Sequence, residues 1–323
     1  MVEVGRFSMK GQPGQYERGA LSPDKQYLVT DRFDSLSLDK PYISQIWNVP
    51  TGALVRDLEG DKASFSPDGK SVVTCWHGVR FWETRTGRLT VYGDQWQIHA
   101  CRLSPDGRYI VGMADGSGWI WDTLTGLTTA EFRTGIGPLD PLYSPNGAFL
   151  FTTVFEPHAP LQVILRKAPT GELIAVLDKR LQLYVTAAFS PDSSTLLVGD
   201  DQSPTISVIE PQTGKTITEL PNWGYDPTFS PDGRFVLVRN DKTVREMDIN
   251  RQAVVKEARV CCHASFSPDG RYILILSNQV TLVDADTWIL RASLDGYSDA
   301  FFSPDGKMLV TIGQDEAVIW QMK

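Results

Sequence analysis

The chain has 323 residues, of which 41% are hydrophobic and 22% charged, with a net charge of −8 and a pI near 5.1. This hydrophobic share is enough for a folded core, while a nucleic-acid surface would need clustered Lys and Arg that the chain lacks. No apolar run reaches signal-peptide or membrane-span length, so we expect no membrane segment and a cytoplasmic location.

A string of the form FSPDG recurs along the whole chain in eight copies. Its serines stand at positions 22, 66, 104, 144, 190, 230, 267 and 303, so successive copies are separated by 36 to 46 residues. A period near 40 with strand-like flanks is typical of β-propeller blades. Because the repeat runs from end to end, we predict a single domain over residues 1–323.

Each copy of the string predicts a hairpin corner. Proline presets the first central position of a type I turn, and glycine accepts the positive φ that realigns two antiparallel strands. An apolar residue precedes each serine, and a β-branched or aromatic run such as RYILIL from Arg271 follows the corner. Lys25 and Ser193 replace the glycine in two copies, and Asn146 replaces the aspartate in another.

A second corner, Thr-Gly, closes most units after a short strand that often carries tryptophan. It appears at Thr51, Thr86, Thr125, Thr170 and Thr213, and the strands before it include IWN at Trp47, FWE at Trp82 and IWD at Trp121. Units six and seven have NRQ from Asn250 and DTW from Asp286 instead. Each unit is therefore predicted to hold four strands joined by two corners and one loop.

The two ends of the chain complement each other. The last unit stops after its third strand, AVIWQ, while residues 2–9 form an extra strand before the first unit. We therefore predict an all-β, eight-bladed β-propeller of four-stranded antiparallel blades, with the last blade closed by the N-terminal strand. The alternative is a seven-bladed ring with one unit extruded.

Through FSPDG and the IWD-type third strand, the sequence resembles the WD-repeat β-propeller family over its whole length. It departs from that family in lacking the Gly-His pair before the first strand of each repeat, as in LEGDKA from Leu58. The resemblance implies a non-catalytic scaffold for protein–protein interaction, which binds a protein or peptide partner. We expect a monomer that binds neither nucleic acid nor membrane.

Antiparallel alternation places the corners on one rim and the longer loops on the opposite, variable rim. Loops on a rigid scaffold and exposed aromatic rings are frequent in protein interfaces. Packing between neighbouring blades is the alternative for each ring. The predicted partner-binding residues of the variable rim are Trp76, His77, Trp96, Phe155, His158, Trp223, Tyr225 and Tyr297.

The fourth residue before each serine predicts a ring of polar side chains around the mouth of the central channel. Such a ring suits an ion, ordered water or a charged partner side chain, and pairing across blades at the strand ends is the alternative. The charged and histidine members are Arg18, Lys62, Asp140, Asp226, His263 and Asp299.

The sequence contains no catalytic motif of the GxSxG, P-loop or HExxH type, so we expect no enzyme activity, no metal and no cofactor. The carboxylates Asp140, Asp226 and Asp299 leave one alternative, a metal-dependent propeller hydrolase or small-molecule binder that uses an acidic arc at the channel mouth. The four cysteines lack the spacing of a disulfide framework and are expected to be free thiols.

Overall fold

The computed structural model describes residues 1–9, 15–33, 42–92, 97–135, 140–154, 161–181, 185–200, 203–240, 242–259 and 263–322. Within these residues 32 strands form eight four-stranded antiparallel sheets. The architecture is an eight-bladed β-propeller, as the repeat predicts. The chain divides into two compact units, residues 1–97 with 267–323 and residues 98–266, so the single domain stays a prediction.

The first unit holds fifteen of the described strands. They are β1 Val2–Ser8, β2 Gln15–Leu21, β3 Tyr27–Phe33, β4 Tyr42–Asn48, β5 Leu54–Glu59, β6 Asp61–Phe65, β7 Ser71–Cys75, β8 Val79–Glu83, β9 Leu89–Tyr92, β27 Tyr272–Leu276, β28 Val280–Asp284, β29 Leu290–Leu294, β30 Tyr297–Phe302, β31 Met308–Gly313 and β32 Glu316–Gln321.

The second unit holds the other described strands. They are β10 Ile98–Leu103, β11 Tyr109–Ala114, β12 Ser117–Asp122, β13 Thr128–Arg133, β14 Leu142–Tyr143, β15 Phe149–Val154, β16 Leu161–Lys167, β17 Leu173–Leu181, β18 Val185–Phe189, β19 Leu196–Asp200, β20 Ser203–Glu210, β21 Lys215–Leu220, β22 Tyr225–Phe229, β23 Phe235–Arg239, β24 Val244–Asp248, β25 Ala253–Ala258 and β26 His263–Phe266.

Seven sheets keep their four strands in chain order, from β2-β3-β4-β5 to β26-β27-β28-β29. The exception has the order β1-β32-β31-β30, in which the N-terminal strand pairs antiparallel with β32 from Val2 opposite Gln321 to Ser8 opposite Glu316. The N-terminal strand therefore closes the last blade, as predicted from the complementary ends.

Apolar side chains of neighbouring sheets pack together to form the core of each unit. In the first unit, Phe7 and Met9 are each 1% exposed and lie in one cluster with Trp47 and Ile319. In the second unit, a comparable cluster joins residues of β15–β17 to residues of β18–β20. Burial of this apolar area between sheets is the main stabilising term of such a fold.

The corners owe their shape to serine as much as to proline and glycine. At the corner between β6 and β7, Ser66 donates from Oγ to Asp68 Oδ1 at 2.7 Å and accepts the N–H of Ser71 at 3.0 Å. Gly69 at the same corner has φ of +70°. All eight serines are buried and donate to the Asp or Asn two residues later. This network explains why serine recurs in every copy, a role that the turn argument alone did not assign.

Tryptophans of the third strands are satisfied by threonines of the second strands. Trp47, Trp82 and Trp320 donate from Nε1 to the hydroxyls of threonines 30, 74 and 311, each at 3.0 Å. A buried indole N–H without a partner would cost free energy, so each pair lets a large ring enter the core at little polar cost.

The expectation of free thiols is wrong for two cysteines. Cys75 and Cys101 are each disulfide-bonded, and Cys75 is 1% exposed. Disulfide formation depends on the tertiary distance between thiols, which the spacing of cysteines along the chain does not reveal. Cys261 and Cys262 lie outside the described residues.

Candidate functional site

An aromatic cluster lies at the loop end of the first unit, on the hairpin between β7 and β8. The Trp76 ring centroid is 4.6 Å from that of His77 in an edge-to-face arrangement and 4.8 Å from that of Tyr42, which begins β4. Trp76 is half-buried and His77 is exposed. We call Tyr42, Trp76 and His77 the aromatic cluster; it joins apolar surface to an exposed imidazole.

The backbone and a basic side chain fix the position of this hairpin. Trp76 N–H donates to the carbonyl of Gly78 at 3.1 Å, and His77 has φ of +48°, a conformation that non-glycine residues adopt with strain. The Arg80 guanidinium donates to the Trp76 carbonyl and to Glu59 Oε1, the latter at 2.9 Å. The aromatic cluster is therefore held in place before any partner arrives.

Asp31 forms a buried carboxylate bridge between two sheets of the first unit. Ser44 Oγ donates to Asp31 Oδ1 at 2.7 Å, and the N–H of Ala63, on β6, lies 3.2 Å from both carboxylate oxygens. Burial nevertheless raises the pKa of Asp31 above its usual value. The bridge ties β3 to β6 close to the predicted channel-mouth residue Lys62.

Two predicted channel-mouth residues of the first unit, Arg18 and Lys62, act on a second carboxylate, Asp61. Burial raises the pKa of Asp61 to about 6; Lys62 and Arg18 oppose this rise, and the charge of Asp31 adds to it. The cations therefore sit beside two partly desolvated carboxylates. The sequence analysis assigned no role to Asp31 or Asp61, although Asp61 directly precedes the predicted channel-mouth residue Lys62.

The second unit links predicted channel-mouth positions of consecutive sheets by hydrogen bonds. Asp226 N–H donates to Thr186 Oγ1 at 3.0 Å, and His263 Nδ1 lies 3.2 Å from Asp226 Oδ2. Arg239 donates from Nε to the same Oδ2 at 3.0 Å, and its guanidinium covers the ring of Tyr225 at 4.7 Å. These hydrogen bonds fit the alternative in which polar residues at the strand ends pair with residues of the neighbouring blade.

Asp226 is well neutralised in this network. Burial opposes its ionisation, but hydrogen bonds and charge from His263 and Arg239 hold the pKa of Asp226 below its usual value. A divalent cation would have to displace the guanidinium, which disfavours this carboxylate as a ligand. Among the described residues, no group of three His, Cys, Asp or Glu side chains is arranged to hold a metal ion.

Asp299 and Asp140 occupy the remaining predicted acidic positions at the channel mouth. Asp299 accepts the N–H of Ala300 at 2.8 Å, and Asp140 is half-buried just before β14. Tyr297, predicted on the variable rim, donates from its hydroxyl to Glu316 at 3.3 Å, and burial raises its pKa.

Trp223 corrects the prediction of an exposed rim aromatic. It is 4% exposed and packs in a cluster with Leu220 and Val236, because a large apolar ring gains more from burial than from exposure. Three further predicted rim residues, Trp96, Phe155 and His158, lie outside the described residues.

The comparisons with known proteins agree with this architecture. Residues 86–122, which run from the Thr-Gly corner before β9 to the end of β12, match the family model of the WD domain, G-beta repeat. This stretch therefore resembles one WD repeat within an eight-bladed β-propeller. In the described part of the propeller, no helix is long and apolar enough to cross a membrane.

The chain is similar to a curated protein in sequence and to a solved structure in fold. The meiotic recombination protein rec14 of Schizosaccharomyces pombe is 31% identical over 160 residues, which are 47% of this chain and 51% of the relative, so the chain spans about half of its length. The crystal structure of Chaetomium thermophilum Sqt1 bound to the N-terminus of the ribosomal protein L10 matches with a TM-score of 0.77, at 15% identity and over 99% of both chains. At that identity the likeness shows the fold alone.

Proposed function

We propose that this protein is a non-catalytic scaffold that binds a protein or peptide segment at the aromatic cluster of Tyr42, Trp76 and His77. The observation that carries the proposal is the packed aromatic hairpin tip, which presents tryptophan and an exposed imidazole on a backbone already fixed by Arg80. Aromatic anchors of this kind dominate binding energy at protein interfaces, and preorganisation lowers the entropic cost of binding.

The fold adds support. Propellers of this family serve as interaction scaffolds, and the Sqt1 structure holds the N-terminus of another protein. Loops on a rigid sheet scaffold are common places for recognition. The finer predictions, a monomeric state and a cytoplasmic location, stay predictions.

A selected peptide tests the proposal. A random peptide library is selected on the immobilised protein, and the affinity of the best peptide is then measured by fluorescence anisotropy. We expect Trp76→Ala to weaken binding by at least about tenfold, since truncation of a central interface aromatic costs roughly 2 kcal/mol or more. The Trp288→Ala variant is the control, because Trp288 is also half-buried but lies at the corner between β28 and β29.

The two parts of the proposal fail in different ways. If selection on the wild-type protein enriches no peptide, the scaffold function is wrong. If a peptide binds and Trp76→Ala leaves its affinity unchanged while the variant melts like the wild type, the scaffold stands but the aromatic cluster is not its site.

A further inference from the structure

A basic pocket lies at the loop end of the sheet β22–β25 in the second unit. It has a volume of about 660 Å³ and lies between the hairpin that joins β23 to β24 and the end of β25. Its described lining consists of Asn240, Lys242, Thr243, Arg245, Glu257 and Arg259. A volume of this order accommodates a few amino-acid side chains.

The described lining of the pocket is positively charged, whereas the whole protein is acidic. Among the described lining residues, three are cationic, Lys242, Arg245 and Arg259, and one is a carboxylate, Glu257, so these residues together carry two net positive charges on a chain of net charge −8. Lys242 and Arg259 are exposed. Asp241, within the same hairpin, lies outside the described residues.

Hydrogen bonds to neighbouring residues hold the Arg245 side chain in place. Arg245 donates from Nε to Glu257 at 2.9 Å and from Nη1 to the Asn222 carbonyl at 3.2 Å. Neither contact uses Nη2, and no described residue accepts a hydrogen bond from it. A guanidinium that is held by two bonds and has donors to spare suits a planar carboxylate.

The hairpin itself is preorganised by an asparagine. Asn240 Oδ1 accepts the N–H of Lys242 at 2.9 Å, the N–H of Thr243 at 2.8 Å and the Thr243 hydroxyl at 3.0 Å. These three bonds fix the backbone that carries Lys242. Binding of a ligand at this hairpin therefore pays little ordering entropy.

We propose that this pocket binds the carboxylate side chains of an Asp- and Glu-rich peptide segment. The inference rests on the proposed peptide-binding function but concerns a second surface. An acidic segment is repelled by most of this acidic protein and attracted to the pocket, which steers it there. Three cations neutralise too few phosphates to hold a nucleic acid against that repulsion, so a peptide is favoured over an oligonucleotide.

Hexaglutamate is the probe that tests the inference. Its fluorescein-labelled form is titrated with the full-length protein at low salt, with labelled hexaglutamine beside it. We expect saturable binding of hexaglutamate alone, and the double variant Lys242→Gln/Arg259→Gln should weaken it about tenfold, the loss of roughly one charge-assisted hydrogen bond. Arg245 is left intact because its contacts support the sheet.

The matched control is Lys70→Gln/Arg88→Gln, which also removes one lysine and one arginine from side chains that are each 81% exposed. It should leave hexaglutamate affinity unchanged, and both double variants should melt like the wild type. Equal weakening by the two variants, equal binding of hexaglutamine, or tighter binding of a single-stranded hexanucleotide would overturn the proposal. Since the titration needs no selected peptide and leaves Trp76 intact, its outcome is separate from that of the aromatic-cluster experiment.

Discussion

At the scale of single residues, burial decides the behaviour of the carboxylates near β3 and β6. Asp31 accepts bonds from Ser44 and Ala63, yet its pKa is raised because desolvation outweighs those bonds. Asp61 is less buried and lies near Asp31. Its burial and the charge of Asp31 raise the pKa of Asp61 to about 6 in the folded protein. Two desolvated carboxylates at one place make the first unit sensitive to pH.

The variant Asp61→Asn tests this sensitivity. The pKa of Asp61 in the folded protein lies above the ordinary value of 3.8. The stability that the neutral carboxyl group provides is therefore fully present below about pH 4 and is lost as the pH rises to about 6 and the group ionises. We expect the variant to melt about 2–4 °C higher than the wild type at pH 7.5 and to match it near pH 4. Thermal unfolding monitored by circular dichroism across pH 4 to 8 measures the difference.

Asp286→Asn is the control for this experiment, since Asp286 is an exposed carboxylate at a corner. It should follow the pH dependence of the wild type. A constant difference between Asp61→Asn and wild type at every pH would show that the raised pKa plays no part.

At the scale of elements, the corners impose one backbone conformation on unlike residues. In the Thr-Gly corners, Gly52, Gly87 and Gly126 have φ near +70°, and in the two corners that lack the pair Gln252 and Trp288 take φ of +52° and +56°. The register of the flanking strands therefore dictates the left-handed residue, whichever side chain occupies it. A side chain at such a position costs about 1–2 kcal/mol.

Gln252→Gly tests this cost. Removing the Cβ relieves the left-handed strain, and the greater freedom of glycine in the unfolded chain takes back part of the gain, so we expect a net rise of about 0.5–1 kcal/mol in the free energy of unfolding. Urea denaturation measures it. Gln252→Ala keeps the Cβ and should give no such rise; an equal rise in both variants would assign the effect to the glutamine side chain instead.

At the scale of the whole molecule, the sheet β1-β32-β31-β30 joins the two ends of the chain. Burial within β1 is uneven: Phe7 is 1% exposed, whereas Val4 is 55% exposed. Phe7 and Met9 lie in the same cluster as residues of β3, β4, β31 and β32. The N-terminal strand thus contributes both a hydrogen-bonded partner for β32 and part of the core.

Phe7→Ala is the matching test of closure. Loss of a fully buried phenylalanine removes its transfer free energy and leaves a cavity, so we expect a loss of about 3–5 kcal/mol in the free energy of unfolding. Val4→Ala, on the same strand but exposed, should change it by less than about 0.5 kcal/mol. Denaturation midpoints that coincide for the two variants would mean that β1 adds little to the core.

The sequence by itself determined the fold of this protein, because the corner chemistry and the alternating strands are local and repeat at a fixed period. The serines at eight corners, the Trp-bearing third strands and the complementary ends are enough to predict eight blades and their closure. Local φ preference and a two-residue side-chain period require no knowledge of distant neighbours.

Only the tertiary structure decided the environments of the polar and aromatic side chains. The burial of Trp223, the disulfide bonding of Cys75 and the desolvation of Asp61 all depend on which sheets lie side by side. So does the linkage of Asp226 to His263 from another sheet, 37 residues away in sequence. Dielectric environment and side-chain distance belong to the packed molecule, and no linear pattern in the chain encodes them directly.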